Sequence, residues 1–434
     1  MSDLSDNSRC RHNFHGVDHN HRPHRASQAA SQAMKNLCAQ HGGQLRLGHF
    51  RLLRLLGSGD IGKVFLCEIS KSLKPHSNCY YAMKVVDRKS LALKKKLKRA
   101  EMEEQVLSVI DHPFLPTLHA KFEAREYTCF VMDYCPGGDL FTLQQNQPDL
   151  RFTVSTARFF AAEVLVALEY LHMMGIVYRD LKPENVLIQE DGHIMLTDFD
   201  LSLHLEVHPM LLKQVSINRI MKKKNKPMLC CGESYDYEHI ARGRNRKKAS
   251  INIIGGNGHA QEIEVSAEPV NGRSHSFVGT HEYLAPEVIL GLGHGSAVDW
   301  WAFGVFLYEL LYGYTPFKDA SSNEKTMNNI LRKRLSFPRP GTKTHSGQEI
   351  AKAEDLIGKL LIKNPKRRMG YNSGSCEIKK HEFFQGINWA LIRSAKPPLL
   401  PRNPHQQKRN SFDMPKPSFK NKPVSQRPGQ IPFF

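Results

Sequence analysis

The chain has 434 residues, 40% of them hydrophobic, and a mean hydropathy of −0.45, so it can bury a sizeable core. Its net charge of +19 favours acidic partners such as nucleic acid, an anionic membrane or phosphorylated chains. Nine cysteines without framework spacing indicate reduced thiols in a cytosolic or nuclear protein. We expect no signal peptide, no myristoylation (Ser2 replaces the required glycine) and no transmembrane segment, because no run approaches about 18 apolar residues.

Residues 1–44 are rich in His, Arg, Ser, Gln and Asn, a composition that predicts a disordered basic N-terminal tail. The histidines between His12 and His24 would also suit a metal site. They lack a helical pattern and cysteine partners, so the tail is the favoured interpretation. A short helix near residues 27–39 is also predicted, without an assigned function.

From Phe50 onward the sequence changes to short apolar strand patterns, and the first pattern leads into a glycine-rich loop. The loop consists of Leu56, Gly57, Ser58, Gly59, Asp60, Ile61, Gly62, Lys63 and Val64. Glycines let the backbone approach a phosphate, whose oxygens the amide groups can bind. Because such loops also simply connect hairpins, the motif alone is weak evidence for nucleotide binding.

Lys84 lies in an apolar strand pattern, where a buried lysine needs a partner. The helical pattern over residues 94–109 offers three glutamates, Glu101, Glu103 and Glu104. We predict that Glu103 is the partner, since it precedes the apolar face of the helix. The alternative is that all three are solvated partners of neighbouring basic residues.

A further strand pattern ends at Cys135 and is followed by Pro-Gly-Gly, which predicts a hinge between two lobes. We expect backbone groups of Asp133 and Cys135 to bind adenine. Cys135 is interpreted as a small hinge residue and not as a reactive thiol.

The sequence YRDLKPEN at residues 178–185, followed by DFD at residues 198–200, contains the groups that phosphoryl transfer requires. The predicted catalytic residues are Asp180, Lys182 and Asn185, and the predicted Mg²⁺ ligands are Asn185 and Asp198. The first acid would accept the proton of a substrate hydroxyl, and the lysine would offset charge on the phosphoryl group. The alternative, a polar loop with Asp180 paired to Arg179, is disfavoured because several independent motifs coincide.

With these motifs, residues 50–384 resemble a complete eukaryotic protein kinase domain. The resemblance implies an α+β, bilobal fold with a small β-rich N-lobe and a large helical C-lobe, and ATP and Mg²⁺ as cofactors. Asp200 stands where the family usually has glycine. We expect its backbone to need φ > 0, which Asp tolerates better than most residues, and metal binding to persist.

The segment from Asp198 to Glu287 is 90 residues long, so it contains a large insertion, residues 201–272. Two basic clusters in it flank Cys230 and Cys231; they are Lys222, Lys223, Lys224 and Lys226, and Arg242, Arg244, Arg246, Lys247 and Lys248. We expect attachment to an anionic membrane, which acylation of the cysteines would strengthen. Nuclear localisation through the same clusters stays open. Specific nucleic-acid binding is disfavoured, because no aromatic residues are interleaved.

Beyond the insertion, a buried Glu287 needs a cation, and we predict Arg368. Asp299 is expected to brace the catalytic loop from below. Residues 385–434 are predicted to form a C-terminal tail, whose apolar end suggests docking.

The DFD triplet, the basic insertion and the aromatic C-terminus together resemble plant AGC kinases related to PINOID. The resemblance implies phosphorylation of Ser or Thr, including in the cytosolic loop of auxin-efflux carriers. It implies that Ser276 is the activating phosphosite and that an upstream phosphoinositide-dependent kinase is a partner. Ile431 replaces the first phenylalanine of the family's C-terminal Phe-x-x-Phe motif, whose second position is Phe434.

Asp139 and Glu184 are the acids predicted to lie at the rim where a substrate peptide binds, and they would favour arginines upstream of the target. We expect a cytoplasmic enzyme that is peripheral at the plasma membrane. The alternative function is a catalytically weak scaffold at the membrane or in the nucleus, motivated by Asp200 and the insertion. The presence of Lys84, Asp180 and Asp198 favours the active enzyme.

Overall fold

The computed structural model describes residues 28–70, 79–207, 274–338 and 347–401, with residue 24 and the short pieces 210–213, 263–266 and 268–269. Several predicted features lie outside these residues. They are the first 23 residues, both basic clusters with Cys230 and Cys231, and the C-terminal end with Ile431 and Phe434. Within the described part, no helix is both long enough and apolar enough to cross a membrane.

The N-terminal lobe contains one antiparallel sheet of five strands in the order β1-β2-β3-β5-β4. The strands are β1 (Phe50–Ser58), β2 (Lys63–Ile69), β3 (Tyr80–Asp87), β4 (Leu118–Ala124) and β5 (Tyr127–Asp133). Tyr81, Met83 and Val85 alternate along β3 and are buried in one apolar cluster. Because side chains alternate across a strand, Lys84 points to the opposite face.

One face of this sheet is covered by helix α1 (Ala29–Gln40). Met34 and Leu37 are buried there, and the Tyr81 hydroxyl donates to the carbonyl of Ala30 at 2.7 Å. The prediction of a disordered tail up to residue 44 is therefore wrong for residues 28–44. The apolar residues of this stretch recur at helical spacing, so a helix buries them against the sheet.

The predicted helix over residues 94–109 is shorter than expected, because residues 94–96 connect an earlier helix to the one that begins at Leu97. The two helices are α2 (Arg88–Leu93) and α3 (Leu97–Val109), and α2 begins after Asp87, whose side chain accepts from the Ser90 amide at 2.9 Å. Lys95 between them has a φ of 57°, which ends the first helix. The buried face of α3 carries Glu103 toward the cleft.

The C-terminal lobe is helical, and it is built around α5 and α7. Its helices are α4 (Leu140–Gln145), α5 (Val154–Met173), α6 (Pro286–Ile289), α7 (Ala297–Tyr312), α8 (Asn323–Arg332), α9 (Gly347–Leu360) and α10 (Ser375–Lys379). Trp300 and Trp301 of α7 are fully buried. Arg368 donates two hydrogen bonds to Glu287, at 2.6 and 2.8 Å, so the predicted pairing is confirmed.

Six short strands pair antiparallel in this lobe: β6 (Ile176–Val177) with β9 (Leu203–His204), β7 (Val186–Ile188) with β8 (Ile194–Leu196), and β10 (Met210–Lys213) with β11 (Ile263–Ser266). The β7–β8 hairpin brings the ends of the catalytic motifs together, because the Thr197 amide donates to the Asn185 carbonyl at 2.9 Å. The pairing of β10 with β11 joins two parts of the predicted insertion.

The described beginning of the C-terminal tail packs on the β7–β8 hairpin. A Cβ at Gly192, in the hairpin turn, would lie 2.6 Å from the Leu399 carbonyl oxygen, so this position requires glycine. Arg393 donates to Asp191 at 2.5 Å. Residues 385–401 are therefore attached to the lobe that carries the catalytic loop.

Candidate active site

The cleft between the lobes contains a buried lysine held by two carboxylates. Lys84 Nζ lies 2.7 Å from Glu103 Oε1 and 3.0 Å from Asp198 Oδ1. Burial alone would lower the pKa of Lys84, but these carboxylates outweigh it and raise the pKa above its ordinary value. The predicted choice of Glu103 among the three glutamates of α3 is thus confirmed as a contact. Lys84 and its two carboxylate partners therefore connect β3, α3 and the DFD triplet at one point.

The glycine-rich loop connects β1 to β2 directly above Lys84. Val64 is the register partner of Lys84, and the Gly59 amide donates to the Gly62 carbonyl at 2.9 Å. A Cβ at Gly62 would lie 2.6 Å from the Val85 carbonyl oxygen, so only glycine permits this close packing. Among the described atoms, a Cβ at Gly57 would meet nothing within 4 Å. The backbone there has room for a phosphate to approach.

The predicted hinge follows β5 as expected. The Asp133 carboxylate is occupied by the Thr117 amide at 2.8 Å and by His119 Nε2 at 2.8 Å. Because its side chain is held in this way, Asp133 would offer a ligand its backbone and not its carboxylate. Cys135 is buried, with its Sγ 3.5 Å from the Met195 sulfur. Binding of adenine by the backbone groups of Asp133 and Cys135 stays a prediction.

Asp180 is the centre of a hydrogen-bonded group. Its Oδ2 accepts from Lys182 Nζ at 2.8 Å and from Asn185 Nδ2 at 2.9 Å. Its Oδ1 accepts from the Thr280 hydroxyl at 3.2 Å, and that hydroxyl accepts from Lys182 at 3.0 Å. A substrate hydroxyl that made the same two contacts would be oriented toward a base and a cation together.

The catalytic loop is braced from below by Asp299 of α7, as predicted. Its carboxylate accepts from the amides of Tyr178 and Arg179, each at 2.8 Å. Arg179 has a φ of 67°, an uncommon value for a non-glycine residue. Two charge-assisted hydrogen bonds hold that conformation in place.

The expectation of a positive φ at Asp200 is wrong. The left-handed residue of the DFD triplet is Asp198, with a φ of 63°, while Asp200 is outside that region. Asp200 is buried, and burial together with the nearby Asp198 raises its pKa to about 7. Asp therefore replaces glycine here without the backbone strain that we expected, but at a buried position.

The donor set suits Mg²⁺, a hard cation that prefers oxygen ligands. Asn185 donates its amide nitrogen to Asp180, so its carbonyl oxygen would be the ligand, together with the Asp198 carboxylate. Within the described ranges, no three His, Cys, Asp or Glu side chains converge as a self-sufficient metal site. Mg²⁺ is usually held by one or two carboxylates together with waters and substrate phosphates.

The two predicted substrate-binding acids differ in their surroundings. Asp139 caps α4, because its carboxylate accepts from the amide of Thr142 at 2.6 Å and from its hydroxyl at 2.9 Å. Glu184 is exposed and carries no such structural role. The geometry therefore favours Glu184 over Asp139 for binding a basic substrate.

The sequence analysis missed two acids beside Glu184. Glu309 accepts from the Tyr283 hydroxyl, and Glu282 accepts from the Thr315 hydroxyl at 2.7 Å. Burial raises the pKa of Glu309 to about 7, and the charges of Glu184 and Glu282 add to the increase. Glu309 lies in an apolar helical pattern, so only the tertiary contact with Tyr283 reveals it.

Ser276 lies against Arg179, next to the catalytic aspartate. Arg179 Nη1 donates to Ser276 Oγ at 2.6 Å and to Ser274 Oγ at 3.2 Å. His294 Nε2 lies 3.4 Å from the same nitrogen. The predicted proximity of Ser276 to Arg179 is confirmed, while its phosphorylation stays a prediction.

Comparison with known proteins shows which sequences this chain resembles. The family described as "Protein kinase domain" matches residues 50–218 and 253–384. "Protein kinase PINOID 2" of Arabidopsis thaliana is 49% identical over 431 residues, covering 88% of this chain and 81% of that protein. "Protein kinase PINOID" of Oryza sativa subsp. japonica is 49% identical over 381 residues, covering 88% and 75%. "Serine/threonine-protein kinase AGC1-7" of Arabidopsis thaliana is 48% identical, covering 88% and 68%.

The two matched segments contain the cleft, the catalytic loop and the acids beside it. Protein kinases use ATP and Mg²⁺, which agrees with the donor set of the cleft. The chain therefore belongs to the protein kinase family, and it is a Ser/Thr protein kinase similar to the plant AGC kinases named PINOID and PINOID 2.

Proposed function

We propose that this kinase regulates polar auxin transport by phosphorylating Ser or Thr in the cytosolic loop of auxin-efflux carriers. The similarity to PINOID and PINOID 2 supports the biological role. The observation that carries the substrate class is the group of Glu184, Glu282 and Glu309 at the edge of the catalytic loop. Arginines upstream of the target residue would pair with these carboxylates.

Each catalytic residue would have its own role in the reaction. Asp180 Oδ1 accepts the proton of the substrate hydroxyl, and Lys182 holds the oxygen from which that proton leaves. Lys84, held by Glu103, binds and orients the nucleotide phosphates, and the glycine-rich loop excludes water above them. ATP would supply the transferred phosphoryl group, and Mg²⁺ held by Asn185 and Asp198 would neutralise charge on it.

The alternative function is a catalytically weak scaffold. The structure argues against it through two contacts, Lys84–Glu103 at 2.7 Å and Lys84–Asp198 at 3.0 Å. An active kinase requires the lysine–glutamate pair and the aspartate of the DFD triplet in the cleft, and here Lys84 contacts both Glu103 and Asp198 although Asp200 replaces glycine.

We also propose peripheral attachment to the plasma membrane through the two basic clusters of the insertion, which lie outside the described residues. A cation near an anionic leaflet contributes about 1 kcal/mol, so nine cations are ample for reversible binding. An upstream phosphoinositide-dependent kinase is a further proposed partner, through the C-terminal segment that ends at Phe434. Specific nucleic-acid binding is not part of the proposal.

The substrate class is tested with a peptide library and purified protein. We expect wild type to prefer arginine upstream of the target, and Glu184→Gln with Glu282→Gln to lose about tenfold or more of this preference in kcat/KM, since a charged pair contributes about 1.5–3 kcal/mol. Glu126→Gln, in the turn between β4 and β5 of the N-lobe, is the control. Equal use of acidic peptides by wild type would contradict the proposal.

The carrier is tested separately with its purified cytosolic loop as substrate. We expect phosphorylation by wild type and none by Asp180→Asn. If wild type phosphorylates basic library peptides but not the loop, the auxin role fails while the basophilic specificity stands.

Membrane attachment is tested by changing Arg242, Arg244, Arg246, Lys247 and Lys248 to Gln. We expect weaker binding to anionic liposomes and loss of the plasma-membrane signal by imaging. Unchanged binding and localisation would remove this proposal, and loss of nuclear signal alone would favour nuclear localisation.

A further inference from the structure

Three side chains form a buried line beneath the catalytic loop. Glu268 Oε2 lies 3.0 Å from His172 Nδ1, and His172 Nε2 lies 2.8 Å from Asp299 Oδ2. The side chains of His172 and Asp299 are fully buried and that of Glu268 is 4% exposed. The line joins α5, α7 and the stretch that follows β11.

The far end of this line is the catalytic loop itself. The Asp299 oxygen that contacts His172 also accepts from the Tyr178 amide, and its other oxygen accepts from the Arg179 amide, both at 2.8 Å. Arg179 precedes the catalytic Asp180 and has a positive φ. Any rotation of the Asp299 carboxylate would therefore change the hydrogen bonds that hold Asp180 in place.

His172 lies between the two carboxylates and donates to both when it is protonated. Burial alone would lower the pKa of His172, but Glu268 and Asp299 outweigh it and raise the pKa to about 10. The side chains that face it are Glu268 from the stretch after β11 and Asp299 from α7. The Trp300 ring, at a centroid distance of 4.7 Å and an angle of 75°, covers it. The protonated state is what lets both ring nitrogens act as donors.

Glu268 is held firmly in this position. A Cβ on Gly374 would overlap the Glu268 carboxylate, so the loop before α10 has glycine where it passes this side chain. Pro269 is also buried, and its carbonyl accepts from the Ser296 amide at 3.4 Å. Glu268 thus comes from the C-terminal part of the predicted insertion, and it reaches the core of the large lobe.

We propose that Glu268 is a positioning residue, through which the C-terminal end of the insertion sets the geometry of the catalytic loop by way of His172 and Asp299. It does not touch substrate, nucleotide or metal. It keeps Asp299 oriented toward the amides of Tyr178 and Arg179. A change in the insertion that displaced Glu268 would lower phosphoryl transfer without touching the cleft.

The proposal is tested in the full chain with Glu268→Gln. We expect kcat to fall severalfold and to become dependent on pH above neutrality, since Glu268 is one of the two carboxylates that raise the pKa of His172, and its removal lowers that pKa. Deprotonation then removes one donor from the line, so kcat decreases as the pH rises. Wild type should show no such loss in the same pH range, and KM for ATP should change by less than twofold in the variant.

A second readout follows the loop directly. Amide hydrogen exchange at Tyr178 and Arg179 should become faster in Glu268→Gln. The matched control is Glu163→Gln, because Glu163 is a buried glutamate of the same helix as His172 and contacts another histidine, His193, at 2.5 Å. It should lower thermal stability without faster exchange at these two amides.

Two outcomes overturn the proposal. One is a Glu268→Gln protein of lower stability whose kcat, pH profile and loop exchange match wild type. The other is a pH-independent fall in kcat with unchanged exchange. If Glu268→Gln does not fold, Glu268→Asp, which keeps the charge on a shorter side chain, is judged by kcat and by amide exchange at Tyr178 and Arg179, and wild-type values for both overturn the proposal.

Discussion

Arg179 Nη1 donates to the Oγ of Ser276 at 2.6 Å, so a serine of the activation segment is in direct contact with the residue before the catalytic Asp180. The Arg179 side chain also donates from Nε to the Leu201 carbonyl at 2.7 Å. One guanidinium thus connects the catalytic loop, the stretch after the DFD triplet and the activation segment. A change at Ser276 therefore reaches the site through a single side chain.

Phosphorylation of Ser276 should raise kcat about tenfold or more. A phosphoserine adds about −1.5 to −2 charge and would replace a neutral hydrogen bond to Arg179 with a charge-assisted one. The measurement compares wild type and Ser276→Ala, each with and without treatment by an upstream kinase. Ser321→Ala, at an exposed serine, is the control. If Ser276→Ala equals wild type in both states, Ser276 is an ordinary turn residue.

Asp180→Asn should leave the protein folded and lower kcat by about 100-fold to 10,000-fold, the usual contribution of a general base. Asn185 and Lys182 would still contact the neutral side chain, so stability should change little. A kinase assay with a thermal melt checks both statements. Near-normal activity in pure Asp180→Asn protein would contradict the assignment of the base.

Asp198→Asn should also lower transfer strongly, but through weaker Mg²⁺ binding. Its carboxylate also contacts Lys84 at 3.0 Å, and the neutral amide would offer a poorer ligand to the metal. A titration of activity against Mg²⁺ distinguishes the two variants. Asp198→Asn should need a higher Mg²⁺ concentration, whereas Asp180→Asn should not.

Arg368→Met should destabilise the protein by about 3–5 kcal/mol, because it leaves the buried Glu287 carboxylate without its cation. The double variant Glu287→Leu with Arg368→Met should cost less than the single variant, since no uncompensated charge remains. Urea unfolding measures both. If the double variant is less stable than the single one, the buried charge is not the main cost.

His294 should make a contribution to stability that is lost as the pH decreases from about 6.5 to about 4. Burial and the neighbouring Arg179 lower the pKa of His294 to about 4, whereas the unfolded chain has a pKa of about 6.5. In this window the unfolded state binds a proton that the folded state does not, so acid favours unfolding.

His294→Asn should therefore lose less stability than wild type between pH 7 and 5. The measurement is the urea midpoint at both values, with His24→Asn at an exposed position as the control. Equal losses in wild type and His294→Asn would show that His294 does not cause this dependence.

The sequence by itself determined the parts of this protein that depend on local pattern and on covalent spacing. The glycine-rich loop, the strand with Lys84, and the spacing from Asp180 to Asn185 and Asp198 predict a protein kinase because each group must reach the same phosphates. The choice of Glu103 was also predictable, since helical periodicity places only this glutamate next to the apolar face of α3.

The tertiary structure decided what depends on contacts between distant segments. The helix α1 is a covering layer of the N-lobe sheet because its apolar residues meet Tyr81, a contact that no local pattern shows. Positive φ lies at Asp198 and not at Asp200, since the packing of the whole triplet sets the backbone. The Glu268 carboxylate contacts His172, 96 residues earlier in the chain, and the Glu309 carboxylate contacts Tyr283, 26 residues earlier, so only the fold gives each carboxylate its partner.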